Sequence, residues 1–132
     1  MKVLDTTFLI DFLEKNEGVE KKFLEIQQEA LATTQANVFE VLFGIFAGNV
    51  KNKEMRLRSA EQLFDRLTVL DFNYNAAHKS AKIAGELQKK GRMIDDIDSI
   101  TAGIALSNSI NTIITKNSKH FGRIPEITVE TY

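Results

Sequence analysis

Apolar residues fall along this chain in short blocks, some too brief for anything but a buried strand and others at helical spacing. Val3 and Leu4 read as a short strand at the start. Residues 6–14 read as a helix with Phe8, Leu9, Phe12 and Leu13 on one side, and 17–28 as a second helix buried through Val19, Phe23 and Ile26. Residues 30–33 make a weak strand. Thr34 or Gln35 then opens a strongly apolar helix through Val38, Val41, Leu42, Ile45 and Phe46, which Gly48 is placed to end. Residues 51–67 predict a charged amphipathic helix with Met55, Leu63, Phe64 and Leu67 inward, followed by a strand at 68–70. Residues 73–90 predict a helix with Ala77, Ala81, Ala84 and Leu87 inward and Gly91 as its stop. Asp95 or Asp96 opens another, running to about Asn108 with Ile100, Ile104 and Ala105 on its apolar side. Strands follow at 112–115 and 127–129. Helices alternate with strands that lack polar alternation, a pattern that predicts an α/β fold with a parallel sheet covered on both faces.

Against that pattern several acids stand out. Asp5 ends the first strand and precedes a helix, where an open parallel sheet binds its ligands. Thr6 and Thr7 offer hydroxyls at the same edge. A helix N-cap is the plainer reading of Asp5. Glu40 is set among Phe39, Val41, Leu42 and Phe43, and a carboxylate there needs a partner or must give up its charge. Gly44, one turn on, leaves room beside it. Asp95, Asp96 and Asp98 crowd the mouth of a helix, more acid than capping requires. After them Ala102, Gly103 and Ala105 allow close packing on a neighbour. Thr115-Lys116-Asn117 repeats the logic of the first strand, with polar side chains at an apolar strand's end. Taken together, these acids from distant segments suggest one pocket for a divalent cation.

Composition narrows the choice of ion. The 132 residues, one domain's worth, contain no Cys and two His, so the site is a hard, oxygen-rich one suited to Mg2+ or Mn2+. The absence of Cys makes the cytoplasm the natural location. The net charge of −1 argues against binding nucleic acid by bulk electrostatics, which leaves local basic groups such as Lys116, Lys119 and Arg123. No apolar run approaches the ~18 residues of a membrane span. His78 reads as an ordinary partly buried residue, and His120 as a turn residue beside Phe121 in preference to a substrate contact. Phe39, Phe43 and Phe46 read as core or subunit interface.

These residues, in this order, resemble a PIN domain, and within that family the VapC-type toxins. The first block is Leu4-Asp5-Thr6-Thr7-Phe8-Leu9-Ile10, and the second is Glu40 with Gly44. The third is Gly91-Arg92-Met93-Ile94 followed by Asp98-Ser99-Ile100-Thr101-Ala102-Gly103, and the fourth is Thr115-Lys116-Asn117 with His120-Phe121. The resemblance covers nearly the whole chain and implies one PIN domain over residues 1–132, with a twisted parallel sheet of four to five strands. It implies a Mg2+- or Mn2+-dependent endoribonuclease, generally dimeric, held inactive by a VapB-like antitoxin. Its catalytic and metal-binding acids would be Asp5, Glu40 and Asp98, with Asp96 beside them. Thr7, Thr115 and Asn117 would orient water or ligands, and Lys116 and Lys119 would meet RNA phosphates. Asn117 and Met93 depart from the family pattern, which more often has Asp and Pro there, and Asn117 weakens any second metal site. Two rival readings remain. One is a receiver-like signalling domain with Asp71 as phosphoacceptor, and the other is a PIN scaffold without nuclease activity.

Overall fold

In the computed structural model, which describes residues 1–49 and 51–132, five parallel strands form one sheet in the order β3-β2-β1-β4-β5. The strands are β1 (Lys2–Leu4), β2 (Leu31–Thr34), β3 (Thr68–Leu70), β4 (Thr112–Ile114) and β5 (Thr128–Glu130). The helices are α1 (Thr6–Glu14), α2 (Val19–Ile26), α3 (Gln35–Ala47), α4 (Lys53–Asp65), α5 (Tyr74–Lys89), α6 (Asp96–Ser107) and the single turn α7 (Ser118–Phe121). The α/β architecture and the parallel sheet agree with the sequence reading. α7 was not foreseen, because one turn is too short to show a period.

The pleat of the central strands sorts side chains to two cores. Val3 and Ile113 point to one face, where they pack with Ile83, Leu87, Ala102, Ala105 and Phe121 beneath α5 and α6. Leu4 and Ile114 point to the other, against Phe8, Leu9, Val41, Ile45 and Leu63 of α1, α3 and α4. A strand buried on both faces cannot alternate polar with apolar, and this one does not.

β1 pairs with β2 on one side and with β4 on the other, so the chain reverses its direction of winding at β1. A crevice opens at such a switch point, beyond the carboxyl ends of the strands. Val3 pairs with Ile113 and Leu4 with Ile114, which brings the next residues, Asp5 and Thr115, side by side at the rim. The order also disposes of the receiver-like reading. That fold has the order 2-1-3-4-5, and here Asp71 is an exposed residue beyond the edge strand β3.

Helix phases differ in places from expectation. The buried line of α5 is Ala76, Ser80, Ile83 and Leu87, one position off the predicted Ala77, Ala81 and Ala84. Alanine gives a weak phase signal, and Ile83 and Leu87 set the face. His78 lies on the opposite side and is exposed. Met55 and Phe46, expected inward, are 56% and 62% exposed.

α5 and α6 are the most intimate helix pair, and Gly103 is the reason. A Cβ at Gly103 would lie 2.6 Å from the backbone nitrogen and 2.7 Å from the Cα of Ser80. These are backbone atoms that no rotamer change can move. Gly103→Ala is therefore expected to cost about 2 kcal/mol or more and to lower the midpoint of thermal unfolding by ~5–10 °C, read by circular dichroism. Adding Ser80→Gly will not restore the loss, because the clash is with backbone.

Candidate active site

The crevice begins with Asp5, which is 2% exposed at the N-cap position of α1. The capping role suggested by sequence is not what its side chain does, since it makes no cap hydrogen bond. Instead Oδ2 accepts from the Thr115 hydroxyl at 2.7 Å and from Thr7 at 3.2 Å, and Oδ1 accepts from Asn37 Nδ2 at 3.2 Å. Burial pushes the Asp5 carboxyl above its ordinary range, and the Thr115 bond opposes this.

α3 supplies the next wall. Thr34 caps it, accepting from the Asn37 backbone N–H at 3.2 Å. The Thr34 hydroxyl donates to Asn37 Oδ1 at 2.7 Å, Asn37 Nδ2 donates to Thr6 Oγ1 at 3.0 Å, and Thr6 donates to Glu40 Oε1 at 2.6 Å. Each hydroxyl in this relay has one proton to give, so its direction is fixed and ends on a carboxylate. Asn37 is fully buried and also reaches Thr101 of α6 at 3.2 Å. The sequence pattern alone assigns Asn37 no role. Helix phase could have supplied one, because positions 34, 37 and 40 share a face. Glu40, half-buried, has its carboxyl raised by burial, opposed by the Thr6 bond and reinforced by the charges of Asp5 and Asp95.

α6 brings Asp98, which is 7% exposed. Its Oδ2 lies 2.9 Å from Asn117 Nδ2 and 2.7 Å from His120 Nδ1. Burial pushes its pKa up to about 6 against the pull of His120, with Asp5 and Asp95 adding to the rise. Asp96 does not join the group. It is exposed, and Asp95 stands in its place, with Oδ2 3.9 Å from His120 Nδ1. The helix turns ~100° per residue, so a residue three before Asp98 shares its face and one two before it does not. The same rule brings Asn117 and His120 together across α7. His120 is thus part of the cluster and not the plain turn residue expected.

The side chains differ in how closely they gather. Among the described residues, the potential ligand atoms that all lie within 4.8 Å of one another are those of Asp95, Asp98 and His120. Asp5 and Glu40 stand further out but within electrostatic reach. No Lys or Arg among the described residues pairs with Asp5, Glu40 or Asp98; the salt bridges of Lys2, Lys22, Lys79 and Lys116 all go to other acids. Lys116, expected on a substrate phosphate, has its ammonium 2.6 Å from Asp11 Oδ2 and 5.3 Å from the centre of the Tyr132 ring. A half-buried carboxylate on α1 has captured it. Lys119 is exposed on α7. Phe39, Phe43 and Phe46 form an exposed stripe flanking Glu40, with the first two rings stacked 5.9 Å apart, so they are not core.

The donor set of carboxylates, an amide, hydroxyls and one imidazole fits a hard or borderline divalent cation. Among the described residues no Lys or Arg faces these three partly desolvated acids, and His120 meets only Asp98 of the three, which leaves a charge deficit that such an ion would fill.

Comparison with known proteins agrees with this geometry. The model of the PIN domain family matches residues 2–127. The tRNA(fMet)-specific endonuclease VapC of Salmonella typhimurium is 29% identical over 98% of this chain and 96% of its own. The DNA-bound VapBC structure from Salmonella typhimurium superposes with a TM-score of 0.85 at 28% identity, covering 98% of this chain and 96% of that one. VapBC-1 from nontypeable Haemophilus influenzae gives a TM-score of 0.85 at 30% identity over 98% and 96% of the two chains. With four acids converging on the switch point of a parallel sheet and a family match spanning residues 2–127, the chain belongs to the PIN domain family.

Proposed function

We propose that this protein is a divalent-metal-dependent endoribonuclease, the toxin of a VapBC-type pair, acting through the crevice between β1 and β4. The observation that carries the reading is the cluster of acids at the sheet's switch point that, among the described residues, no Lys or Arg neutralises. The similarity to a VapC endonuclease along nearly the whole chain supports it.

Asp5, Glu40, Asp95 and Asp98 would hold the ion, some through water, as Mg2+ favours. When bound, the ion supplies an activated water and neutralises charge on the phosphoryl oxygens. Thr115 and Thr7 keep Asp5 oriented by donating to Oδ2. Asn117 does the same for Asp98. The relay from Thr34 through Asn37 and Thr6 keeps an oxygen of Glu40 as an acceptor. Lys119 is the basic group left to meet a flanking phosphate. The VapBC relatives motivate a VapB-like antitoxin as protein partner, a DNA-bound state of that complex, and a dimeric toxin. No helix among the described residues is long and apolar enough to cross a membrane, and a cytoplasmic location fits the reading.

Asp5→Asn and Glu40→Gln are each expected to reduce RNA cleavage by ~10³-fold or more while leaving the circular dichroism spectrum unchanged. Cleavage by either variant at the parent rate would remove that acid from the mechanism.

The raised carboxyl of Asp98 also has a consequence for stability. Its folded pKa, about 6, lies above the ordinary value of 3.8. The folded state therefore binds more protons than the unfolded state between those values, and stability from this group falls as pH rises through that window. The metal-free protein should melt at a lower temperature near neutral pH than this group alone would allow at pH ~5. Asp98→Asn should raise the metal-free melting temperature near neutrality by a few degrees, ~2–6 °C. Mn2+ should stabilise the parent near neutrality and much less at pH ~5. An equal Mn2+ effect at both pH values would count against a carboxylate-held ion.

A further inference from the structure

His120 has a place in the cluster that the acids do not explain. Its Nδ1 points to Asp98 Oδ2 at 2.7 Å and Asn117 Nδ2 at 3.0 Å, with Asp95 Oδ2 at 3.9 Å. It is held there by fold. Phe121 beside it is fully buried in the core under α5 and α6, and Gly122 ends the turn with its N–H on Ser118 at 2.8 Å. The backbone that carries the ring is thus anchored by a neighbour sunk in the core, and the ring itself meets Asp98.

We propose that His120 Nδ1 is a direct ligand of the divalent cation, together with Asp95 and Asp98, and that it makes the centre discriminate in favour of first-row transition-metal ions over Mg2+. This rests on the metal-dependent reading above and deepens it. Adjacent ligands on a six-coordinate ion with bonds of ~2.1 Å stand ~3 Å apart, and opposite ones ~4.2 Å. The separations of 2.7 Å and 3.9 Å from Nδ1 to the two carboxylates fall close to those spacings. Coordination takes the tautomer with its proton on Nε2, which leaves the Nδ1 lone pair toward the acids. Asn117 then keeps its bond to Asp98 Oδ2.

The chemical consequence follows from ligand type. Oxygen donors alone serve Mg2+ well, whereas an imidazole nitrogen adds far more to the binding of transition-metal ions. Asp5 and Glu40, being further from the imidazole, complete an oxygen-rich half of the site. A centre with one nitrogen among oxygens still accepts Mg2+, and ranks it below Mn2+ and Co2+.

The test uses the purified full chain with Mn2+ and Mg2+ as the probes. Electron spin-echo modulation of the Mn2+-loaded protein should show a directly bound 14N in the parent, absent in His120→Gln. Competition titration should show Mn2+ affinity falling by ~10-fold or more in His120→Gln, at least the loss common for groups one shell further out. Mg2+ affinity should change much less, so that the selectivity ratio collapses. His78→Gln, altering an exposed residue of α5, should leave both readouts unchanged. Mn2+ binding in the parent with no 14N signal, or with the same Mn2+/Mg2+ ratio in His120→Gln, overturns the role of His120 and leaves the metal-dependent reading standing. No saturable Mn2+ binding in the parent overturns both. The nitrogen signal is read on the parent protein, so the outcome does not depend on how the variant folds.

Discussion

The site is organised around a carboxylate that the sheet buries and the neighbouring segments then hold by hydrogen bonds. Asp5 must lie where β1 ends, because β1 is the strand flanked on both sides at the switch of winding direction. Burial there costs the charged form dearly. The protein offsets part of that cost with neutral donors only. Thr115 comes from the end of β4, Thr7 from α1 and Asn37 from α3. Three segments far apart in the chain are thereby tied to one side chain. None of them cancels its charge.

Glu40 and Asp98 repeat this arrangement with different means. Each is partly withdrawn from water, each receives a polar hydrogen bond, and the charges of Asp5 and Asp95 raise the energy of both ionised forms. Burying one lysine nearby would have relaxed the whole group. The fold instead pairs Lys116, the residue after Thr115, with Asp11. Electrostatic tension of this kind is expected where charge must arrive from outside. It gives the apo protein a pocket poised for a cation.

Much of this was legible in the sequence, for identifiable reasons. β-branched runs at 112–115, apolar helical spacing in α3 and the acid at the end of the first strand are signals that do not depend on distant packing. Asp5, Glu40 and Asp98 were recognisable because each violates its surroundings. The small residues after Asp98 forecast the close α5–α6 approach that Gly103 permits. What escaped was phase. Choosing Asp96 over Asp95 ignored the rotation per residue, and the weak alanine signal misplaced the face of α5 by one position. Asn37 and His120 stayed hidden for another reason. Both act through partners more than nineteen positions away or on a one-turn helix, and only the assembled sheet brings those partners near.

The turn after β4 is fastened to α1 at two points. The Lys116 backbone N–H bonds Thr7 Oγ1 at 3.1 Å, and its side chain is clasped by Asp11, which Tyr132 also holds at 2.8 Å. β1 and β4 are already laddered together beneath these ties. This side of the crevice is thus fastened at its strands and at its turn. Whatever enters the crevice therefore meets, on this side, a rim whose outline those ties have already drawn. Accommodation then falls to the incoming molecule, which has to conform to the edge it finds.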